Sequence, residues 1–319
     1  GGWWWGGPIA IDAVAGAPAE PGIAADAMFW PGWGGASGQF IAVDLSGETA
    51  ALASETTLGG THGWWSFGTT FPSHGLLYTS QQTSEYDPDF DPPPYSYVCW
   101  YQLGQPSRYC TNDPPPGAWV TRYYLDVIDY SDPYDPLVRK PVNIPGTLIG
   151  LHHDGEVLYT QGSDFRQYYY SGDETIAASS YDGVNAHFIT SLVLNQNWPR
   201  PVLGDSGHLY LGVPASTNNT NATVQVWTLS EEGRFVQTSS ETLDTPAQQI
   251  EKIKNMIVLQ TAKIELYDAR NPADLLPIGT GEAATCYGVL LNGADGEITR
   301  GLWLPMGWYG MIHIPVAGQ

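Results

Sequence analysis

The sequence predicts an all-β fold, a β-propeller of four-stranded antiparallel blades, about six in number with seven also compatible with the count. Three observations predict it. A strand-and-turn phrase occurs once near the middle of the chain, again near its end, and more faintly near its start. The copies are spaced by multiples of a blade length. The composition, with 37 Gly and 25 Pro in 319 residues, suits many short strands and turns better than helices.

The phrase is clearest from Tyr123 to Pro145, YYLDVIDYSDPYDPLVRKPVNIP. Leu125, Val127 and Tyr130 set against Asp126 and Asp129 alternate as a half-buried strand does, since successive side chains point to opposite faces. Asp132-Pro133 then turns the chain, with a short acceptor side chain followed by a residue of fixed φ. The second copy, IELYDARNPADLLPIGTG, puts Asp268, Asn271 and Pro272 in the places of Asp129, Asp132 and Pro133. The faint copy from Gln39 to Leu58 has Asp44 in the matching slot. These turns are read as crossovers, each ending one blade and beginning the next. Asp129 and Asp268 lie 139 positions apart, about three blades of 46 residues. Asp44 to Asp129 spans 85 positions, one ordinary blade plus an insertion.

In chain order, Pro8 to Val14 reads as a first short strand, Ala15 to Ala25 as a connection, Ala27 to Trp33 as irregular, and Phe40 to Leu45 as an outer strand. Nothing before Pro8 reads as an inner strand, so the first blade is expected to begin at its second strand. Trp3-Trp4-Trp5, an upstream segment or another subunit would complete it. A hairpin follows over Thr61 to Ser80. Residues 84–117 change composition: two three-proline runs bracket the strand Tyr95 to Leu103, as expected of an insertion projecting from one blade. Strand pairs continue to Val316, making residues 1–319 one propeller domain. The inner strands are placed at Val142 to Ile144, Phe188 to Leu192 and Phe235 to Thr238, and they carry almost no acids.

The repeated phrases resemble LVIVD-type repeats, and the whole chain resembles the C-terminal β-propeller domains of large secreted bacterial proteins, distantly WD40-like. Gly63-Trp64-Trp65-Ser66-Phe67 and Gly75-Leu76-Leu77-Tyr78, placed before the aspartate-proline blade, strengthen the likeness. The resemblance implies a secreted propeller module and carries over no catalytic residue.

Asp and Glu number 33 against 12 Lys and Arg, a formal charge of −21, which repels a phosphate backbone and argues against nucleic-acid binding. No apolar run reaches the roughly 18 residues of a membrane span. Of three cysteines, Cys99 and Cys110 flank a proline-containing loop in the insertion. A disulfide between them would point to an extracytoplasmic setting, secreted, periplasmic or cell-surface; two unpaired thiols are the alternative. Glu85, Asp87, Asp89 and Asp91 fall at every second position. They suit either calcium, with Asp87, Asp89 and Asp91 as ligands, or a solvated acidic loop. His152-His153-Asp154-Gly155-Glu156 reads as a hairpin turn or, less readily, a metal site, since adjacent residues on a strand point to opposite faces and the two imidazoles cannot easily share an ion. Tyr86, Phe90, Tyr95, Tyr97, Trp100 and Tyr101 give the insertion the composition of a contact surface.

No nucleophile elbow, zinc spacing or phosphate loop occurs, and no resident cofactor is expected beyond possible calcium. The reading is therefore a non-catalytic interaction or scaffold module, its partners other protein subunits or an upstream part of the same precursor. The alternatives are a carbohydrate-binding or carbohydrate-processing propeller, and a calcium-stabilised adhesion module.

Overall fold

The computed structural model describes residues 10–14, 23–28, 38–44, 51–58, 70–88, 118–163, 174–194, 202–216, 220–282, 295–305 and 311–316. Their strands form six antiparallel sheets in which each strand pairs with the next in sequence, and no α-helix occurs among these residues. The first blade is β1 (Ala10–Val14), β2 (Ile23–Met28), β3 (Gly38–Asp44) and β4 (Ala51–Leu58). In the second, β5 (Phe71–Ser73), β6 (Leu76–Asp87) and β7 (Ala118–Asp129) are followed by an outer strand in two pieces, β8 (Leu137–Val138) and β9 (Val142–Ile144), both on β7.

The third blade is β10 (Thr147–His152), β11 (Val157–Ser163), β12 (Glu174–Tyr181) and β13 (Ala186–Val193). The fourth is β14 (Val202–Asp205), β15 (His208–Val213), β16 (Ala222–Leu229) and β17 (Phe235–Leu243). The fifth is β18 (Gln249–Ile253), β19 (Met256–Gln260), β20 (Ile264–Asp268) and β21 (Leu276–Gly281). The sixth has three described strands, β22 (Asp295–Glu297), β23 (Gly301–Pro305) and β24 (Met311–Ile314). First strands lie innermost: β1 touches β5, β10 touches β14, β14 touches β18, and β18 touches β22.

Four expectations are corrected by this topology. The first blade has its inner strand in β1, with β2 running through the supposed connection. The sheet short of a strand among the described residues is the sixth. The turns at Asp44, Asp129, Asp132-Pro133, Asp268 and Asn271-Pro272 are not crossovers, because the chain after each returns to the outer edge of the same blade. Val142 to Ile144, Phe188 to Leu192 and Phe235 to Thr238 are outer strands. The acids missing from them are present on the true inner strands, which carry Asp12, Asp205, Glu251, Asp295 and Glu297. Lastly, Ser84 to Asp87 continue β6 in register with Ala118 to Thr121, so the inserted segment is shorter than 84–117.

Apolar side chains fill the wedge between each pair of neighbouring blades. Phe40 and Leu58 meet Leu77 and Ile128; Leu125 and Val127 meet Leu148 and Leu158; Tyr159 and Ile176 meet Leu209 and Leu211. Val224 meets Ile257, and Leu266 meets Leu302. A middle strand therefore buries both faces. This is why Asp126, expected on a polar face, is 1% exposed. Between the third and fourth blades a Cβ placed on Gly150 would lie 2.1 Å from the Gly204 carbonyl oxygen, so the two inner strands meet backbone to backbone.

Candidate functional site

Two regions concentrate polar chemistry. The first is the set of turns joining inner to second strands. His74-Gly75 and Ser206-Gly207 each place both residues at positive φ, the geometry of a tight two-residue hairpin. Neighbouring turns then touch in sequence. His74 Nδ1 lies 3.3 Å from Asp154 Oδ1, linking blades two and three. A Cβ on Gly207 would lie 3.0 Å from the His152 ring, linking three and four. Lys252 and Asp205 form an ion pair that links four and five.

His152 and His153 stack with ring centroids 3.7 Å apart, contrary to the expected opposite faces. The reason is that His153 has left the strand, with φ +47° in a short 3₁₀ turn. Burial, then the charges of His153 and His208, push the His152 imidazole below its ordinary value. Burial also lowers His208, with Lys252 adding to the effect and Asp205 opposing it. The result is a belt of imidazoles and paired charges around the inner turns. Among the described residues no group of three or more His, Cys, Asp or Glu side chains is arranged to hold a metal ion.

The second region is the rim, built by the aspartate-proline turns. Asp129 Oδ1 accepts from the Ser131 amide at 3.0 Å and its hydroxyl at 2.6 Å, while Asp132 Oδ1 accepts from the Tyr134 amide at 2.9 Å. Asp268 and Asn271 make the same bonds to the Arg270 and Ala273 amides. Each turn also reaches the preceding blade: Ser54 Oγ donates to the Pro133 carbonyl at 2.6 Å, and Ser239 Oγ to the Pro272 carbonyl at 3.0 Å. The turns are thus within a blade yet fastened across a seam.

They differ in their cation. Asp268 takes Arg270 of its own turn, whereas Asp129 takes Arg139 ten residues on, at 3.2 Å. Bonds from Ser131 and Arg139 hold the Asp129 carboxyl below its usual range against the cost of its burial, and Arg270 does the same for Asp268.

Arg139 sits where the outer strand of the second blade breaks. In blades one, three, four and five the outer strand carries a one-residue bulge, at Ala53, Ile189, Thr238 and Ile278. The second has the same one-residue excess, between Val138 and Val142 opposite Ile128 to Leu125; there Arg139-Lys140-Pro141 interrupt the strand, although the Arg139 amide still donates to the Val127 carbonyl at 2.9 Å. Between this break and the 183–185 turn of the third blade lies a pocket of about 420 Å³. It is lined by Arg139, Lys140, Pro141, Val142, Asn143, Gly183, Val184 and Asn185. No acidic side chain lines it. Sequence reasoning passed over this pair, although Arg139-Lys140 is the only place in the chain where two basic residues are adjacent.

The residues singled out from sequence separate accordingly. Asp44, Asp129 and Asp268 end the third strands of their blades, and Asp132-Pro133 and Asn271-Pro272 are equivalent turns. Tyr86 lies on β6 and is 54% exposed, and Asp87 ends that strand. Asp89, Asp91, Cys99, Cys110, Phe90, Tyr95, Tyr97, Trp100 and Tyr101 lie outside the described residues. Among the described residues no helix is long and apolar enough to cross a membrane.

No protein-family model matches the sequence, and no curated protein matches it. Solved structures do share its architecture. A 6-phosphogluconolactonase-like protein of Bacteroides uniformis is 10% identical, with 82% of each chain covered and a TM-score of 0.41. Sqt1 of Chaetomium thermophilum is 10% identical over 96% of this chain and 87% of its own, with a TM-score of 0.45. A Lactobacillus plantarum protein is 15% identical over 57% of this chain and 55% of its own, with a TM-score of 0.41. The strand order within the sheets and the contacts between their first strands define the class as a β-propeller of four-stranded antiparallel blades. The expectation that the chain is not an enzyme is withdrawn, because it rested on inner strands almost without acids and the true inner strands do carry carboxylates.

Proposed function

We propose that this propeller is an interaction module that presents the outer rim of its second, third and fourth blades to a partner protein. One observation carries the reading: the outer strands there expose large apolar side chains. Leu137 is 66% exposed, Val184 71%, Phe188 62%, Val193 48% and Val236 50%. Phe188 and Val193 lie on β13 and Val236 on β17, with Val184 in the turn before β13 and Leu137 on β8; β13 touches both β9 and β17, so the three outer edges are neighbours.

Scattered apolar residues are normal on any surface, whereas a connected band around a polar pocket is what contact sites have. Covering such side chains releases water at about 25 cal/mol per Å² of apolar area. Phe188, the largest of them at the middle of the band, is the anchor such surfaces use.

The test is affinity purification from the native source with the wild-type protein and a Phe188→Asp variant, the retained proteins being identified by mass spectrometry. The reading expects at least one protein held by the wild type and lost by the variant, with the melting temperatures of the two equal. Retention of the same set by both would refute it.

A further inference from the structure

We infer that the Arg139-Lys140 pocket receives a carboxylate from an acidic, apolar-flanked peptide segment of the partner; this rests on the rim reading and names what the rim recognises. The break in the outer strand does three things at once. It opens about 420 Å³ between two blades, it brings the chain's only adjacent basic pair to the opening, and it leaves the lining without an acid. The volume is that of a small-ligand site, large enough for one side chain and its neighbours.

Arg139 is held for the task before anything binds. Asp129 accepts from Nη2, and the Asp129 carboxylate is otherwise occupied by Ser131. Nη1 lies beside Gly183, where even an added Cβ would sit 3.8 Å away in ordinary contact. A guanidinium has five N–H donors in a planar fork, so its bonds to Asp129 and Tyr181 still leave donors for a ligand carboxylate. The Asp182 carboxylate at the same turn is occupied by the Val184 and Asn185 amides and lies 3.8 Å from His187. Lys140 is exposed and adds a second cation. Asn143 is fixed by its bond to the Tyr123 carbonyl at 3.0 Å, leaving its own carbonyl oxygen for a peptide N–H.

Charge complementarity selects the occupant. In a chain of formal charge −21 an acidic segment is repelled nearly everywhere, and this opening is the place where basic side chains meet it. The apolar band, with Val184 on the pocket wall and Phe188 beyond it, requires that the acid be flanked by apolar residues. A sugar acid would satisfy the two cations and leave the band uncovered.

The experiment uses fluorescein-labelled acetyl-(Glu-Leu)₃-amide and acetyl-(Gln-Leu)₃-amide, read by anisotropy on the wild type, Lys140→Glu and Phe188→Asp, with melting temperatures confirming the fold. The Glu peptide is expected to bind the wild type at least about fivefold more tightly than the Gln peptide, a preference abolished by Lys140→Glu and weakened by rising salt. Phe188→Asp is expected to weaken both peptides, the Glu peptide more because the new carboxylate also repels it. Equal binding of the two peptides, still sensitive to Phe188→Asp, would overturn the pocket assignment and leave the rim reading standing. A Glu preference lost in Lys140→Glu yet indifferent to Phe188→Asp would keep the pocket and overturn the rim. No binding of either peptide, or displacement by galacturonate at concentrations where acetate has no effect, would overturn the peptide as occupant.

Discussion

Asp126 and Glu265 stand at the same place in two copies of one phrase, three residues before the aspartate that ends the strand, and they are treated differently by the fold. Both are buried, at 1% and 9% exposure. Glu265 accepts from the Thr261 hydroxyl at 2.9 Å and from the Tyr267 hydroxyl at 3.0 Å, one for each carboxylate oxygen. Asp126 accepts from Gln81 at 3.0 Å through one oxygen, and its other oxygen has no protein partner. Burial pushes the Asp126 carboxyl up to about 6, against the opposing Gln81 bond. A shared phrase fixes where a carboxylate goes, and the neighbours decide whether it is comfortable there.

The contrast is sharpest in the response to neutralisation. Asp126→Asn is expected to raise stability at pH 7 to 8 by about 2–3 kcal/mol, since a charge held against burial is removed. Because its folded pKa is raised, the folded state binds more protons than the unfolded one between roughly pH 4 and 6. Stability from this group is therefore present below about pH 4 and lost as pH rises through 6, and the variant should lose that slope. Denaturant melts at pH 4, 5, 6 and 7 measure it; a variant less stable than wild type at pH 7 would break the comparison.

Asp129→Ala is next, with an expected loss of about 2 kcal/mol at pH 7, since the Ser131 amide and the part-buried Arg139 lose their acceptor. Its depressed carboxyl contributes stability above the unfolded value near 4, lost as pH falls through the lower folded value. The same melts extended to pH 3 check this. Glu265→Gln should lower stability by about 1 kcal/mol, opposite in sign to Asp126→Asn, because a well-bonded acceptor is weakened. Ser54→Ala and Ser239→Ala are each expected to cost about 0.5–1 kcal/mol. Equal costs would show that the two turns fasten their seams alike.

Much of this architecture was legible. Strand alternation and the returning Asp-x-x-Asp/Asn-Pro phrase marked the blade and its repeat, and the turn bonds of Asp132 and Asn271 follow from short acceptor side chains before proline. What was not legible was direction. Nothing local in Asp132-Pro133 distinguishes a return to the same sheet from a step to the next, since both need one tight turn followed by an extended run. That single ambiguity displaced every inner strand to the rim and hid the acids of β14, β18 and β22. The burial of Asp126 was invisible for a related reason: period-two alternation signals one wet face, and a strand between two blades has none. The rim pocket escaped because its lining comes from two blades, and no local pattern shows that the 139–143 run faces the 183–185 turn.

The meeting of Gly150 with Gly204 bears on how such a ring changes its number of blades. Adding or removing a unit alters the angle at every junction, and junctions cushioned by leucine and tyrosine absorb this by repacking. Where main chain already rests on main chain, as at this seam, a change of angle has to be taken up farther out in the same wedge, by Tyr159, Leu209 and Leu211.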